Sequence, residues 1–242
     1  MFVSVRNLHR FLVDQAFYPV FLSSLLGLTI FTGRVLISGN LMIYRNLVWN
    51  LFLAWLPYLF SMLTVRLYII HPQKWYLLVV PTAIWLAFFP NAPYILTDFL
   101  HLSYRPPIPL WYDIGLLASF AWSGLFLAVV SLRNMQELVK IYLGWFISWV
   151  FALVALGLGG LGLYMGRFSR WNSWDLLLQP KDILKDIASR FSQPLDNLTF
   201  FAFTFMFTTL LMVFYLMFIS VQRIRNPARA ELAKKRTFDE YN

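Results

Sequence analysis

The sequence predicts an all-α fold: a polytopic membrane bundle of six transmembrane helices, the third broken by proline, with a short amphipathic helix at the interface. Three observations carry that expectation. Of the 242 residues, 60% are hydrophobic and 13% charged; soluble domains hold about 25% charged residues, so this chain lacks the polar surface to cover a globule in water. Six charge-free runs, 15–33, 46–65, 75–97, 114–132, 141–166 and 197–222, have at least 19 residues each, and about 20 apolar residues cross a hydrocarbon core. The runs also lack strict alternation and are too long for the tilted strands of a barrel. No polar stretch between them is long enough to fold by itself, so residues 1–242 read as one integral membrane domain with a basic tail from about 223. Cysteine is absent, which excludes disulfides, thiolate metal sites and covalently attached haem.

Residues 1–14 are a short basic lead-in, expected to be helical at the interface. The first run follows Arg6 and Arg10 as a signal peptide would. No small-x-small cleavage pattern closes it, and it is long enough to span, so it reads as an uncleaved helix ending near Arg34. Ser38, Gly39 and Asn40 turn the chain toward Arg45. The second span carries Asn50, a lone amide of the kind that bonds a neighbouring helix in a membrane. In the third span Pro81 is followed by Pro90 and Pro93. Proline removes a backbone donor and clashes with the preceding turn, so the helix kinks or stops there, and Asn91 is placed to cap its resumption. If it resumes as an α-helix, Asn91, Tyr94, Asp98 and His101 share one face.

A proline-rich loop, 103–110, leads to Trp111, Tyr112 and Asp113. Asp113 then sits at a helix N-terminus, where the macrodipole favours a carboxylate. Residues 133–140 read as a short polar loop between spans four and five. The fifth span contains Gly157-Leu-Gly-Gly-Leu-Gly162, which matches a dinucleotide-binding pattern. That pattern needs a preceding strand and a βαβ unit, and neither is expected here; small residues on a membrane helix instead admit a close neighbour. A second polar cluster, 166–175, precedes an amphipathic helix in which Ile183, Leu184, Ile187, Ala188 and Phe191 recur at helical spacing. The sixth span is rich in Phe and Met.

With the N-terminus inside, twelve of the 20 Lys and Arg residues fall on the cytoplasmic side. Six of them, Arg223, Arg225, Arg229, Lys234, Lys235 and Arg236, directly follow the last span. This distribution of the +9 charge fits the positive-inside rule and contact with anionic lipid headgroups rather than nucleic acid. Both termini are then cytoplasmic, and both polar clusters and Asp113 fall at the outer face.

Asp98 and His101 lie one helical turn apart. They could act as a base with its orienting partner, or ligate a divalent metal with Asp113 and Asp175 as further oxygen donors. Arg167 and Arg170 could hold a phosphate or carboxylate bidentately, with Asn91, Tyr94, Asn172 and Asp175 completing the set. The same residues admit a structural reading. In it Asp98, Asp113 or Asp175 pairs with Arg167 or Arg170, Asn91 caps its helix, and Trp111, Trp171 and Trp174 anchor the protein at the interface.

Three stretches carry a resemblance: Phe89-Pro-Asn-Ala-Pro-Tyr-Ile-Leu-Thr-Asp-Phe-Leu-His-Leu102, Trp111-Tyr-Asp113 and Gly166-Arg-Phe-Ser-Arg-Trp-Asn-Ser-Trp-Asp175. Together they resemble the motifs of an integral-membrane family catalogued as domain of unknown function 1361. The resemblance covers nearly all of the chain between the first and last spans. It implies a bacterial protein of about this size, hence of the cell's inner membrane, and it supplies no activity.

Two functions remain open from the residues themselves. One is an enzyme or binding protein for an anionic amphiphile at the outer face, with Asp98, His101 and Asp113 catalytic and the arginines on the anionic head. The other is a non-catalytic scaffold or assembly factor, or a small-solute transporter, in which the polar cluster is an ion-pair lock. The first is favoured over a carrier, because no internal repeat is visible and the cluster sits at one face rather than at mid-membrane.

Overall fold

Backbone groups in hydrocarbon have no water to bond, so an apolar run must close its own hydrogen bonds as a helix. A computed structural model describes the backbone of residues 5–239 and the side chains of residues 5–221 other than Leu177. The basic side chains from Arg223 to Arg236 lie outside the described residues.

Helix α1 (Val5–Asp14) is followed by α2 (Phe17–Ser38), which ends on Gly39 at φ 64° with its N–H on the Val35 carbonyl. After α3 (Arg45–Ile70) and α4 (Tyr76–Phe88), α5 (Asn91–Tyr94) runs directly into a 3-10 segment (Ile95–His101). Next, α6 (Leu110–Tyr164) passes into a π turn (Met165–Ser169), and α7 (Asp175–Leu178), α8 (Pro180–Ser192) and α9 (Leu198–Asp239) complete the order. Among the described residues, five helical stretches are long and apolar enough to cross a membrane: Phe17–Ser38, Arg45–Ile70, Tyr76–His101, Leu110–Ser169 and Leu198–Val221.

The 60-residue stretch corrects one expectation. Residues 133–140 are helical rather than a loop, and the break lies at Gly144, whose φ of 86° and ψ of 174° are open only to glycine. The polar run stays helical because its side chains find partners within the bundle. Asn134 donates to the Ser61 hydroxyl at 3.1 Å, and the buried Gln136 accepts from Tyr215 of α9. Gly124 and Gly162 lie 38 residues apart, which is about 57 Å along a straight helix. Yet a Cβ added at Gly124 would strike the Ala92 carbonyl oxygen, and one added at Gly162 would lie 2.6 Å from Pro90. The two halves of α6 therefore double back at Gly144, and both press on the proline-broken segment.

The core joins Leu47, Leu51, Ala54 and Tyr58 of α3 to Trp85 and Phe89. Leu116, Phe120 and Leu127 enter it from the first half of α6, Ala152 and Leu156 from the second, and Leu211 and Tyr215 from α9. Outward, large apolar side chains stay exposed along the spans, among them Leu22, Phe52, Val80, Trp122, Val154 and Phe205. Such a continuous apolar exterior is a lipid-facing one.

Candidate functional site

Proline at 90 and 93 deletes two backbone donors, and the polar residues around the break answer the acceptors this frees. The Ala92 N–H bonds the Phe89 carbonyl at 3.2 Å, so the Phe88 carbonyl loses its helical partner and takes the Asn91 side-chain amide at 3.1 Å instead. The same amide donates to Ser173 Oγ at 2.8 Å. Asn91 is thus a bridge to the second polar cluster, and it makes no side-chain cap. The Tyr94 ring packs beside Gly166, where an added Cβ would come within 3.1 Å of it.

Beyond Tyr94 the chain winds as a 3-10 helix, at three residues per turn. That winding stacks residues three apart, so Ile95, Asp98 and His101 fall along one side of the segment. Asp98 turns inward with Ile95 and Thr97, while His101 is exposed and its side chain has no hydrogen bond or ion pair among the described residues. Asp98 accepts from the Asn50 amide at 2.9 Å and faces Arg167 Nη1 at 3.5 Å. Its side chain is 8% exposed and that of Arg167 11%.

Asp113 does not join that cluster. Its carboxylate takes a two-pronged pair from Arg34, Nε to Oδ1 at 2.6 Å and Nη2 to Oδ2 at 3.1 Å, and both side chains are buried. Asp113 lies in the first turn of α6, where the helix dipole favours its negative charge. Tyr112 adds a second tie, its hydroxyl donating to the Ile30 carbonyl at 2.8 Å across Gly33. Arg34 was missed as a site residue. The signal available was its depth, at the same membrane face as Asp113.

Asp175 is spent locally. Its Oδ2 accepts from the Asn172 backbone at 2.7 Å and from the Asn172 amide at 3.2 Å, closing the turn before α7. Arg170 holds the left-handed position after the π turn (φ 60°), is exposed, and has no ion pair among the described residues.

The sequence profile of a family described as "Protein of unknown function (DUF1361)" matches residues 49–225, well over half of the chain. The chain belongs to the DUF1361 family. No curated protein and no solved structure matches it. The DUF1361 match spans Asn50, Asp98, Asp113 and both arginines of the second cluster, while Arg34 precedes it. With its apolar helices, this DUF1361 chain is a multi-pass membrane protein.

A further hub in this DUF1361 protein docks the amphipathic helix. Arg190 of α8 donates to Asp186 (Nε to Oδ1, 3.1 Å), to the Tyr164 hydroxyl at 3.1 Å and to Ser169 Oγ at 3.0 Å. Trp171 Nε1 donates to the other Asp186 oxygen at 2.9 Å. Trp171 is therefore tied to α8. Burial pushes the Asp186 pKa up, but the hydrogen bonds from Trp171 and Ser169 and the Arg190 charge outweigh it and hold the carboxyl below its ordinary range. A carboxylate with a depressed folded pKa stabilises above its unfolded value, about 4, and loses that contribution as pH falls through the folded one. Trp171 emission, taken as the difference from Trp171→Phe, is expected to stay constant from about pH 7 to 5 and to shift below about 4. A transition centred near neutrality would contradict this.

Chemically, the arrangement offers tied carboxylates. Asp98, Asp113, Asp175 and Asp186 each have partners within the protein, and no group of three His, Asp or Glu residues converges on a metal-sized site among the described residues.

Proposed function

We propose that this chain is a non-catalytic scaffold or assembly factor of a bacterial inner membrane, crossing it six times with both termini cytoplasmic. Its outer-face polar residues serve as locks between helices. The doubling back of α6 at Gly144 supports the sixth crossing, since each half is apolar and long enough to span alone. The excess of Lys and Arg on the other side supports the orientation, with the basic tail resting on anionic headgroups.

One observation carries the reading. Asp98 and Asp113, the carboxylates best suited to acid–base work, are both engaged by arginines inside the bundle. A general base or metal ligand needs a carboxylate free to meet substrate or ion, and His101, the remaining acid–base group, makes no hydrogen bond to Asp98 among the described residues. Asn50, Asp98 and Arg167 instead join α3, the broken third span and the end of α6, which is the work of a clamp.

Asp98→Asn tests this. It strands Arg167 in a poorly solvated place, and a loss of about 1–2 kcal/mol changes cellular abundance several-fold. The expected result is a several-fold fall in membrane abundance for Asp98→Asn and partial recovery in Asp98→Asn/Arg167→Gln. Wild-type abundance and melting for Asp98→Asn would refute the clamp and return the carboxylate to chemistry.

A further inference from the structure

The lock between α2 and α6 contains more positive charge and more hydrogen-bond donors than its own acceptors satisfy. Arg34 spends Nε and Nη2 on Asp113, and its Nη1, also buried, has no acceptor among the described residues. The Arg34 guanidinium lies 5.0 Å from the centroid of the Tyr44 ring, and Arg105 lies 4.9 Å from the same ring. Arg105 is half-buried and, among the described residues, donates only to neutral oxygens, Ser103 Oγ at 2.9 Å and the His101 carbonyl at 3.4 Å. Tyr44 is 9% exposed, and its hydroxyl proton has no acceptor among the described residues.

The electrostatic consequence follows directly. Two guanidinium groups flank one tyrosine, and Asp113 is the one carboxylate paired with either among the described residues. One positive charge, that of the half-buried Arg105, is left over beside the buried Arg34 and Tyr44. A buried charge without a counter-charge is costly, and each buried donor left unmade adds to that cost. A water molecule would answer the donors and leave the charge. An anionic oxygen answers both. Its surroundings fix the depth: Leu41 and Met42 before Tyr44, Tyr104 beside Arg105 and Trp111 beside Tyr112 are all exposed, as residues at the headgroup level are.

We infer that Arg34, Tyr44 and Arg105 form a binding site for an anionic phosphate group, supplied by a lipid headgroup or by free phosphate. Arg34 Nη1 and the Tyr44 hydroxyl donate to its oxygens, and Arg105 closes the site from the solvent side. Arginine suits this, since its planar fork meets phosphate oxygens with more than one donor. The site is separate from the Asp98 clamp and does not depend on the scaffold reading, because the unspent donors belong to Arg34 and Tyr44.

The test uses the full chain in neutral detergent. The thermal midpoint is followed during titration with inorganic phosphate at constant ionic strength, and separately with phosphatidylglycerol against phosphatidylcholine. Arg105→Gln and Tyr44→Phe are the informative variants, since both leave the Arg34–Asp113 pair in place and Tyr44→Phe keeps the ring. The wild-type midpoint is expected to rise, and either variant is expected to need roughly tenfold more ligand for the same rise, the weight of one charge-assisted hydrogen bond. A response to inorganic phosphate identifies a free anion. A response to phosphatidylglycerol alone identifies a headgroup. No response to either, or responses unchanged in both variants, overturns the site.

Discussion

Asp113→Ala is expected to cost about 3–5 kcal/mol, the loss seen when one partner of a buried ion pair is removed. Arg34 is wholly buried, and the two bonds from its Nε and Nη2 end on Asp113. Without that carboxylate the buried guanidinium has no counter-charge within the described residues. The same contact holds the first span to the bundle together with Tyr112 on Ile30 and the hydrogen bond shared by Ser23 and Ser123 at 2.6 Å. A loss of this size is a large share of a domain's total stability of about 5–15 kcal/mol, so most of the protein should be missing from the membrane. The double variant Arg34→Met/Asp113→Leu fills the same space with apolar atoms and is expected to recover most of the midpoint. Thermal unfolding in detergent distinguishes the cases. A wild-type midpoint for Asp113→Ala would mean that the pair holds nothing together.

Gly124→Val carries the second large effect. The first half of α6 crosses the broken third span so closely at Gly124 that an added Cβ would overlap the Ala92 carbonyl oxygen and lie 3.2 Å from Ile95 Cδ1. The obstacle is backbone, in a short helix held by Pro90 and Pro93, and it cannot swing aside as a side chain would. Overpacking a tight contact costs about 1–3 kcal/mol, and valine adds two methyl groups beyond the one that already clashes. Gly115 supplies the control. It lies in the same helix, and an added Cβ would meet nothing within 4 Å. Gly115→Ala is therefore expected to be neutral, or to gain up to about 1 kcal/mol from helix propensity. If both substitutions lower the midpoint equally, the close crossing at Gly124 is not what joins α6 to the broken span.

A chain of long apolar helices with apolar exteriors was legible in the residues. So were the proline break and the amphipathic helix before the last span. The 3-10 winding after Tyr94 was not. It keeps Asp98 and His101 on one side, as α-helical spacing also does, but the bundle buries Asp98 while His101, the last residue of the segment, is exposed. The loop expected at 133–140 failed for a related reason. Asn134 and Gln136 read as solvent-facing in sequence, but Ser61 and Tyr215, distant in the chain, receive them inside the bundle.

What the sequence determined by itself is which stretches form long apolar helices and where along the chain the ionisable groups interrupt them. Span length and the cost of charge in hydrocarbon are properties of local composition. What only the tertiary structure decided is which of those groups meet. Pairing depends on how each helix is rotated and which helices are neighbours, and many arrangements share one linear pattern. Asp113 could have met Arg167 or Arg170 instead. It meets Arg34, 79 residues earlier, because α2 lies against the first half of α6, where Gly33 leaves room for Tyr112 and Ser23 reaches Ser123.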